Sequence, residues 1–353
     1  MEEDFVIFGP LQDEEYEKFK NKEGIIENTE ELNKMIYQRG LCSELRREVW
    51  KYQLGYLHWD KSTAKNEEIR KYKELLYNNM RATWKKLTEK STGLNLTKTL
   101  TLVDKDVRRT GLDRNFFKGN NKKRYQSLRE ILNVYCAFHD PHNGYKQGMN
   151  DLAAVVLEVM ETDSDAYWCF VKLMDRYKGN FVKDGILEQL GHLKSMLRVL
   201  DYELYKFLKE RESDDFTFCF QWILLLFKRQ FCFEDLLKLW DVFFTDPPFL
   251  HCKSFHLVFC LAVLINKKSA FMDPTNVDFS DIIKCANELQ GNLSVEESLE
   301  KAKILVDKIS ASKVNLACKL NVVCNSSLFE SCGGWMQYFG RIICFGISHQ
   351  HAD

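Results

Sequence analysis

Proline is scarce in this chain of 353 residues: there are five, and four of them fall between apolar-periodic stretches rather than inside them. An internal proline removes a helix hydrogen bond and clashes with the preceding turn, so this placement leaves long stretches free to be helical. Alternation of apolar and polar residues with period two is equally scarce, and there is no convincing hairpin, fixed-period repeat or low-complexity tract. Together these absences point to an all-α fold with no substantial sheet.

An excess of one charge is also missing. Lys plus Arg number 50 against 51 Asp plus Glu, and a net charge of -1 gives no global attraction to nucleic acid or to an anionic membrane. Any charged function must therefore be local. The longest apolar runs, Phe218 to Phe227 and Phe255 to Ile265, are interrupted by polar residues and fall short of the ~20 needed to span a bilayer. They are read as buried helices. The opening MEEDFVIFGP lacks the basic-then-apolar build of a secretory signal, so the 12 cysteines are expected to be reduced, in a cytoplasmic setting. Cys136, Cys169, Cys219, Cys232 and Cys260 sit among aromatic and aliphatic residues and are expected in the core.

Several chemistries fail for want of a residue. There is no G-x-x-x-x-G-K-[ST] and no strand-linked G-x-G-x-x-G, so the chain is not expected to hold a nucleotide or other cofactor of its own. A G-x-S-x-G elbow is absent too. A phosphatase loop would place arginine where Glu48 follows Cys42. His139 and His142 bracket Asp140 and Pro141 without a third ligand, and Cys318, Cys324, Cys332 and Cys344 contain no C-x-x-C pair, so no metal is implied.

What is present suits a large core. Hydrophobic residues make up 45% and charged residues 29%, and the length exceeds that of one ordinary core, so two lobes or two domains are expected. Leu128, Ile131, Leu132, Tyr135 and Cys136 recur at helical spacing, with Arg124, Arg129 and Glu130 off that stripe. The same period returns in Ile282, Ile283, Ala286 and Leu289, and again in Val295, Leu299, Ala302, Leu305, Val306 and Ile309. The charged stretch from Trp59 to Lys90 suits a long, solvent-exposed helix. Turn-rich loops are expected at Gly111 to Lys123, His139 to Gly144 and Thr245 to His251. From Ala311 to Asp353 the periodicity fades into a tail rich in Cys, Gly and aromatics, expected to be poorly ordered, with Trp335, Met336, Tyr338 and Phe339 near Arg341 as candidates to touch a membrane or partner.

The local charge bias lies between Lys105 and Arg124, where Lys105, Arg108, Arg109, Arg114, Lys118, Lys122, Lys123 and Arg124 face only Asp106 and Asp113. Such a stretch can approach phosphates. A nucleic-acid groove would need more interleaved aromatics than Phe116 and Phe117, and a basic loop facing water is the plain alternative. A second element, G-Y-K-Q-G-M-N-D-L from Gly144 to Leu152, joins a polar loop to an apolar helix near Met149. Its glycines free the backbone around Gln147, whose amide offers both donor and acceptor from a helix start.

Val103-Asp104-Lys105-Asp106-Val107-Arg108-Arg109 resembles the I-x-x-D-x-x-R motif of TBC-domain (Tre-2/Bub2/Cdc16) Rab GTPase-activating proteins, and Tyr145-Lys146-Gln147-Gly148 resembles their Y-x-Q-G motif. Arg39-Gly40-Leu41 through Leu45-Arg46 to Val49-Trp50 and Leu54-Gly55 is similar to the opening of that domain. Phe117-Lys118-Gly119, Tyr167 to Phe170, Asn180-Phe181, Phe227 to Phe231 and Leu239-Trp240-Asp241 extend the likeness to about Ile309. The resemblance implies an all-α, two-lobed domain of roughly fourteen to sixteen helices. It divides the chain into an N-terminal helical extension (1–38), a TBC domain (39–310, with an N-lobe of about 39–180 and a C-lobe of about 181–310) and the tail (311–353).

It further implies that Arg109 and Gln147 are catalytic, entering the site of a Rab-family GTPase in its GTP state. The partner would bring the GTP and Mg²⁺, and the chain would meet endomembranes only through that partner. Asp106, Tyr145 and Gly148 would support the two catalytic side chains, and Arg39, Arg46, Arg108, Arg114 and Lys146 are candidate partner contacts. For Arg39, Arg46 and Trp50 a scaffold role is the competing reading, and Trp222 and Trp240 are assigned to the core. The alternative for the whole is a non-catalytic Rab-binding module of the same fold. Gln221 departs from the pattern by standing where relatives carry arginine, which removes an ion pair and bears on partner preference. With the first motif starting at Arg39, no partner-recognition region is expected ahead of the domain.

Overall fold

The computed structural model of the chain describes residues 9–90, 94–111, 116–117, 121–141, 144–245 and 254–311. Among them run sixteen α-helices and two 3-10 turns, with two isolated β-bridges, Leu11 with Leu41 and Lys20 with Ile26, and no strand. No helix among the described residues is long and apolar enough to cross a membrane. The tail expected beyond Ala311 and Arg114 both lie outside the described residues, as do His142 and the proline pair at 247 and 248.

The described residues cluster into two compact units, one lying within 9–188 and 220–256 and one within 189–219 and 257–311. The described residues of 220–256 thus group with the first unit rather than with the chain on either side of them. The physical reason is a buried carboxylate. Asp241, wholly inaccessible in the helix Phe233–Phe244, accepts from the Leu41 backbone N–H at 3.0 Å, from Arg46 Nε at 2.9 and 3.0 Å and from Trp50 Nε1 at 2.8 Å. These donors come from Leu41 and the helix Ser43–Gln53, nearly two hundred positions earlier, with the sequence separation 200 for Leu41. Burial pushes the Asp241 carboxyl up to about 7, against the pull of Arg46 and the other donors. Around this hub Trp50, Trp240 and Phe244 pack ring to ring at 4.9 to 6.0 Å.

The first unit is centred on the helix Lys122–Phe138, which packs against the helices Thr63–Lys90, Leu94–Arg108, Met149–Val159 and Asp163–Tyr177. Its expected stripe is there, since Leu128, Ile131 and Leu132 are fully buried, but burial continues round the helix from Ser127 to Cys136, with only Arg129 left half-buried. Glu130, off that stripe, is one of those buried residues, paired with Arg81 at 3.4 Å and Lys85 at 2.9 Å. Both partners lie on the long helix Thr63–Lys90, so that helix is not simply a solvated rod. It buries Tyr77 and Trp84 and sends Arg70 to Asp165 at 2.8 Å. The helix Met149–Val159 is buried from Met149 to Leu157, as an all-round apolar helix must be.

Two other expectations are corrected. Of the run Phe218 to Phe227, only Phe220–Leu224 is α-helix, and Leu226 and Phe227 then take positive φ values of 48° and 62°. That costly turn is held by the Phe227 N–H donating to Trp222 O at 2.8 Å and by Trp240 Nε1 donating to Leu226 O at 3.0 Å. Cys232, expected in the core, is exposed at the start of the helix Phe233–Phe244, while Cys136, Cys169, Cys219 and Cys260 are buried free thiols.

In the second unit, helix starts are fixed by side chains. Asp201 accepts from the Leu204 N–H at 3.0 Å, and Asp278 forms a capping box with Asp281. The periodic residues Ile282, Ala286, Ala302, Leu305 and Val306 are buried there.

Replacing Asp241 with Ala strands Arg46 in the interior and should cost about 3–5 kcal/mol of unfolding free energy. Urea denaturation measures it, and a loss below about 1 kcal/mol would remove Asp241 from this role.

Candidate functional site

The helix Leu94–Arg108 ends in a tight turn that carries Arg109, whose N–H donates to Asp106 O at 3.2 Å. Gly111 closes the turn at φ 63°, and a Cβ there would lie 2.5 Å from the ring of Phe117. The turn is thus closed by a residue that must be glycine. Arg109 Nη2 pairs with Asp106 Oδ1 at 2.7 Å; the arginine side chain is 34% exposed and the aspartate 6%. A guanidinium has five N–H donors in a fixed plane, so one ion pair fixes its direction and leaves donors for a ligand.

The other Asp106 oxygen binds the second loop. The Tyr145 hydroxyl lies 2.7 Å from Asp106 Oδ2 and 2.9 Å from Asn150 Oδ1, its one proton shared between them. Burial first, and the Asp106 charge second, push the Tyr145 hydroxyl far above its usual pKa, so it stays a proton donor. Asn150 Oδ1 also accepts from the Gly148 N–H at 3.2 Å, and Asn150 Nδ2 donates to Thr110 Oγ1 at 2.8 Å. Thr110 spends its own proton on Asp106 O at 2.7 Å. The amide orientation of Asn150 is fixed by this set, because a backbone N–H can only donate and the threonine has no second proton.

Gln147 sits in the turn just before Gly148, exposed, as is Lys146. Gly148 has φ 102° at the start of the helix Met149–Val159, and a Cβ there would come within 2.8 Å of Leu225 Cδ2. The glycine is required twice over, by backbone and by space. Asp151, in the first turn of that helix, is buried and paired with Lys228 at 2.5 Å and Arg229 at 3.2 Å. Burial alone would raise its pKa, but Lys228 and Arg229 together outweigh it and hold the carboxyl below its usual range.

The remaining candidates fall elsewhere. Arg108 is 77% exposed and reaches Asp104 at 3.7 Å, on a different face from Arg109. Arg46 is buried on Asp241, and Arg39 forks onto Glu15 with both bonds at 2.8 Å, so in both the scaffold reading describes what the guanidinium does here. Trp50, Trp222 and Trp240 are in the core. Gln221 is half-buried in Phe220–Leu224, and its neutral amide forms no ion pair. Sequence reasoning passed over Thr110, Asn150, Asp151, Lys228 and Arg229. The signal for two of them was available, since Asn150 and Asp151 are polar residues opening an otherwise apolar helix.

The sequence matches a known domain. The family described as the Rab-GTPase-TBC domain matches residues 43–272, and the chain belongs to that family. It is similar to TBC1 domain family member 17 of Mus musculus, with 36% identity over 306 residues that cover 86% of this chain and 47% of that protein. A second relative is the GTPase-activating protein GYP7 of Yarrowia lipolytica, 30% identical over 306 residues, 80% of this chain and 41% of the relative. The chain thus spans about half the length of the curated relatives it matches. Among solved structures, the Ypt/Rab-GAP domain of Gyp1p shares the fold at a TM-score of 0.70 and 21% identity, covering 85% of this chain and 97% of the other.

A carboxylate with a depressed folded-state pKa contributes stability above its unfolded value and loses it as pH falls through the folded one. The unfolding free energy that separates the native chain from Asp151→Asn should therefore be constant above about pH 5 and shrink below about pH 4. A gap indifferent to pH down to acid unfolding would show that the charge of Asp151 is not its source.

Proposed function

We propose that the chain accelerates GTP hydrolysis by a Rab-family GTPase, inserting Arg109 and Gln147 beside a nucleotide and Mg²⁺ that the partner carries. The observation that supports this most is the hydrogen-bonded path from Arg109 through Asp106, Tyr145 and Asn150 to the Gly148 N–H, next to the exposed Gln147. It couples a cation and an amide from two separate loops, which is what two-point catalysis in trans requires. Membership of the Rab-GTPase-TBC domain family and a relative named as a GTPase-activating protein support the same reading.

Phosphoryl transfer to water spreads negative charge over the transferred group and needs the water aligned, so positioning and electrostatics supply most of the catalysis. Arg109 neutralises the charge growing on the phosphate oxygens. Gln147 uses its carbonyl to accept from the attacking water and its NH₂ to steady the transition state. Asp106 keeps the guanidinium aimed before the partner arrives, so less side-chain entropy is lost on docking. The chain works in the cytoplasm and reaches endomembranes through its partner.

Arg109→Ala should slow stimulated hydrolysis by about 10³- to 10⁵-fold, or roughly 4–7 kcal/mol of barrier, with the fold unchanged. Gln147→Ala should cost about 10²- to 10³-fold. Single-turnover hydrolysis across a panel of GTP-loaded Rab proteins measures both. Binding without acceleration by the native chain would assign it instead to a non-catalytic Rab-binding module.

A further inference from the structure

Beside the arginine turn lies a cleft of about 440 Å³ that the catalytic residues do not use, lined by Val107, Arg108, Lys122, Tyr125, Gln126 and Arg129. It runs between the end of the helix Leu94–Arg108 and the start of the helix Lys122–Phe138. Among the described residues, three of the six lining side chains are cations and none is an anion. Among the described residues, Asp104 balances them in part: it holds Arg129 and stands 3.7 Å from Arg108. One carboxylate against three cations leaves the described lining about two charges positive. Lys122 makes no ion pair among the described residues and is exposed.

We propose that this cleft docks an acidic segment of the partner GTPase, fixing where that partner sits relative to Arg109. The inference rests on the functional reading above. Val107 and Arg108 immediately precede the finger on the same turn of backbone, so an occupant of the cleft is positioned by the structure that aims Arg109. Tyr125 favours a peptide over a bare phosphate, because a ring face suits a peptide's aliphatic stems, and Gln126, which donates to Glu130 and accepts from Arg129, keeps a second amide hydrogen for a peptide carbonyl. Cations at an interface rim act mainly on encounter and register, so the cleft should set partner affinity and salt dependence rather than the chemical step.

The test uses Lys122→Glu in the full chain. Lys122 opens its helix, where a carboxylate is favoured over an ammonium by the helix dipole, so the substitution does not threaten the fold. Single-turnover hydrolysis is measured against chain concentration with each Rab that the native chain accelerates. The concentration giving half-maximal rate should rise about tenfold, the maximal rate should stay within about twofold, and the salt dependence should flatten. Lys122→Arg should behave as the native chain, and Arg108→Gln should shift the half-maximal concentration in the same direction as Lys122→Glu. An unchanged half-maximal concentration, or a fall in maximal rate alone, overturns the proposal. Should the native chain accelerate no Rab, the functional reading fails separately, and direct binding of GTP-loaded Rabs decides the cleft. Binding weakened by Lys122→Glu upholds it, while equal binding, or none by the native chain at low salt, ends it. Lys122→Glu losing affinity for phosphatidylserine vesicles while leaving the Rab measurements untouched would assign the cleft to lipid and also overturn it.

Discussion

The site depends on one carboxylate used twice. Asp106 gives one oxygen to Arg109 and the other to Tyr145, and so joins a helix end to a loop that is distant in sequence. An isolated surface ion pair would be worth little, since water screens it and two mobile side chains must be ordered. Here the aspartate is buried and the tyrosine beyond it is buried too, so the pair is ordered by the fold before any partner arrives. The arginine itself keeps a third of its surface open. Rigidity behind the cation and openness in front of it are the two properties that the role proposed for Arg109 requires.

The second half of the device is made by Asn150 and Thr110, which close a ring of hydrogen bonds over the same aspartate. Each bond is individually modest, but a buried polar group left without its partner is expensive, so the ring holds as a unit. The turn after Trp222 adds a neighbouring restraint. Leu226 and Phe227 accept left-handed backbone that neither residue favours, and the chain that follows places Lys228 and Arg229 on Asp151, in the first turn of the helix that Gly148 begins. Strain is tolerated next to the site because Trp222 and Trp240 tie both sides of that turn.

Much of this was legible in the sequence, and for identifiable reasons. Proline placement and the three- and four-residue spacing of Leu128, Ile131 and Leu132 declare helices, because those signals are local. The spacing of Asp106 and Arg109 allows their contact on one helix face, and the two motifs carry the likeness to the family. What stayed hidden is non-local. Glu130 stands off the apolar stripe, and its burial depends on cations, Arg81 and Lys85, that come from another helix. Cys232 was read as core because its neighbours are aromatic, yet a helix start turns it outward. The grouping of residues 220–256 with the first unit rests on Asp241 and its distant donors, which no window of sequence contains.

That last bond set has a consequence for how the polypeptide is born. The helix Ser43–Gln53 leaves the ribosome long before Asp241 is made, and at about 5–20 residues per second the wait is on the order of ten to forty seconds. Through that interval the indole of Trp50 and the guanidinium of Arg46 have no permanent seat, and the nascent chain exposes a sticky face to the crowded cell. A translational pause once Asp241 has cleared the ribosome would help such a chain, whereas one any earlier would lengthen the period of danger.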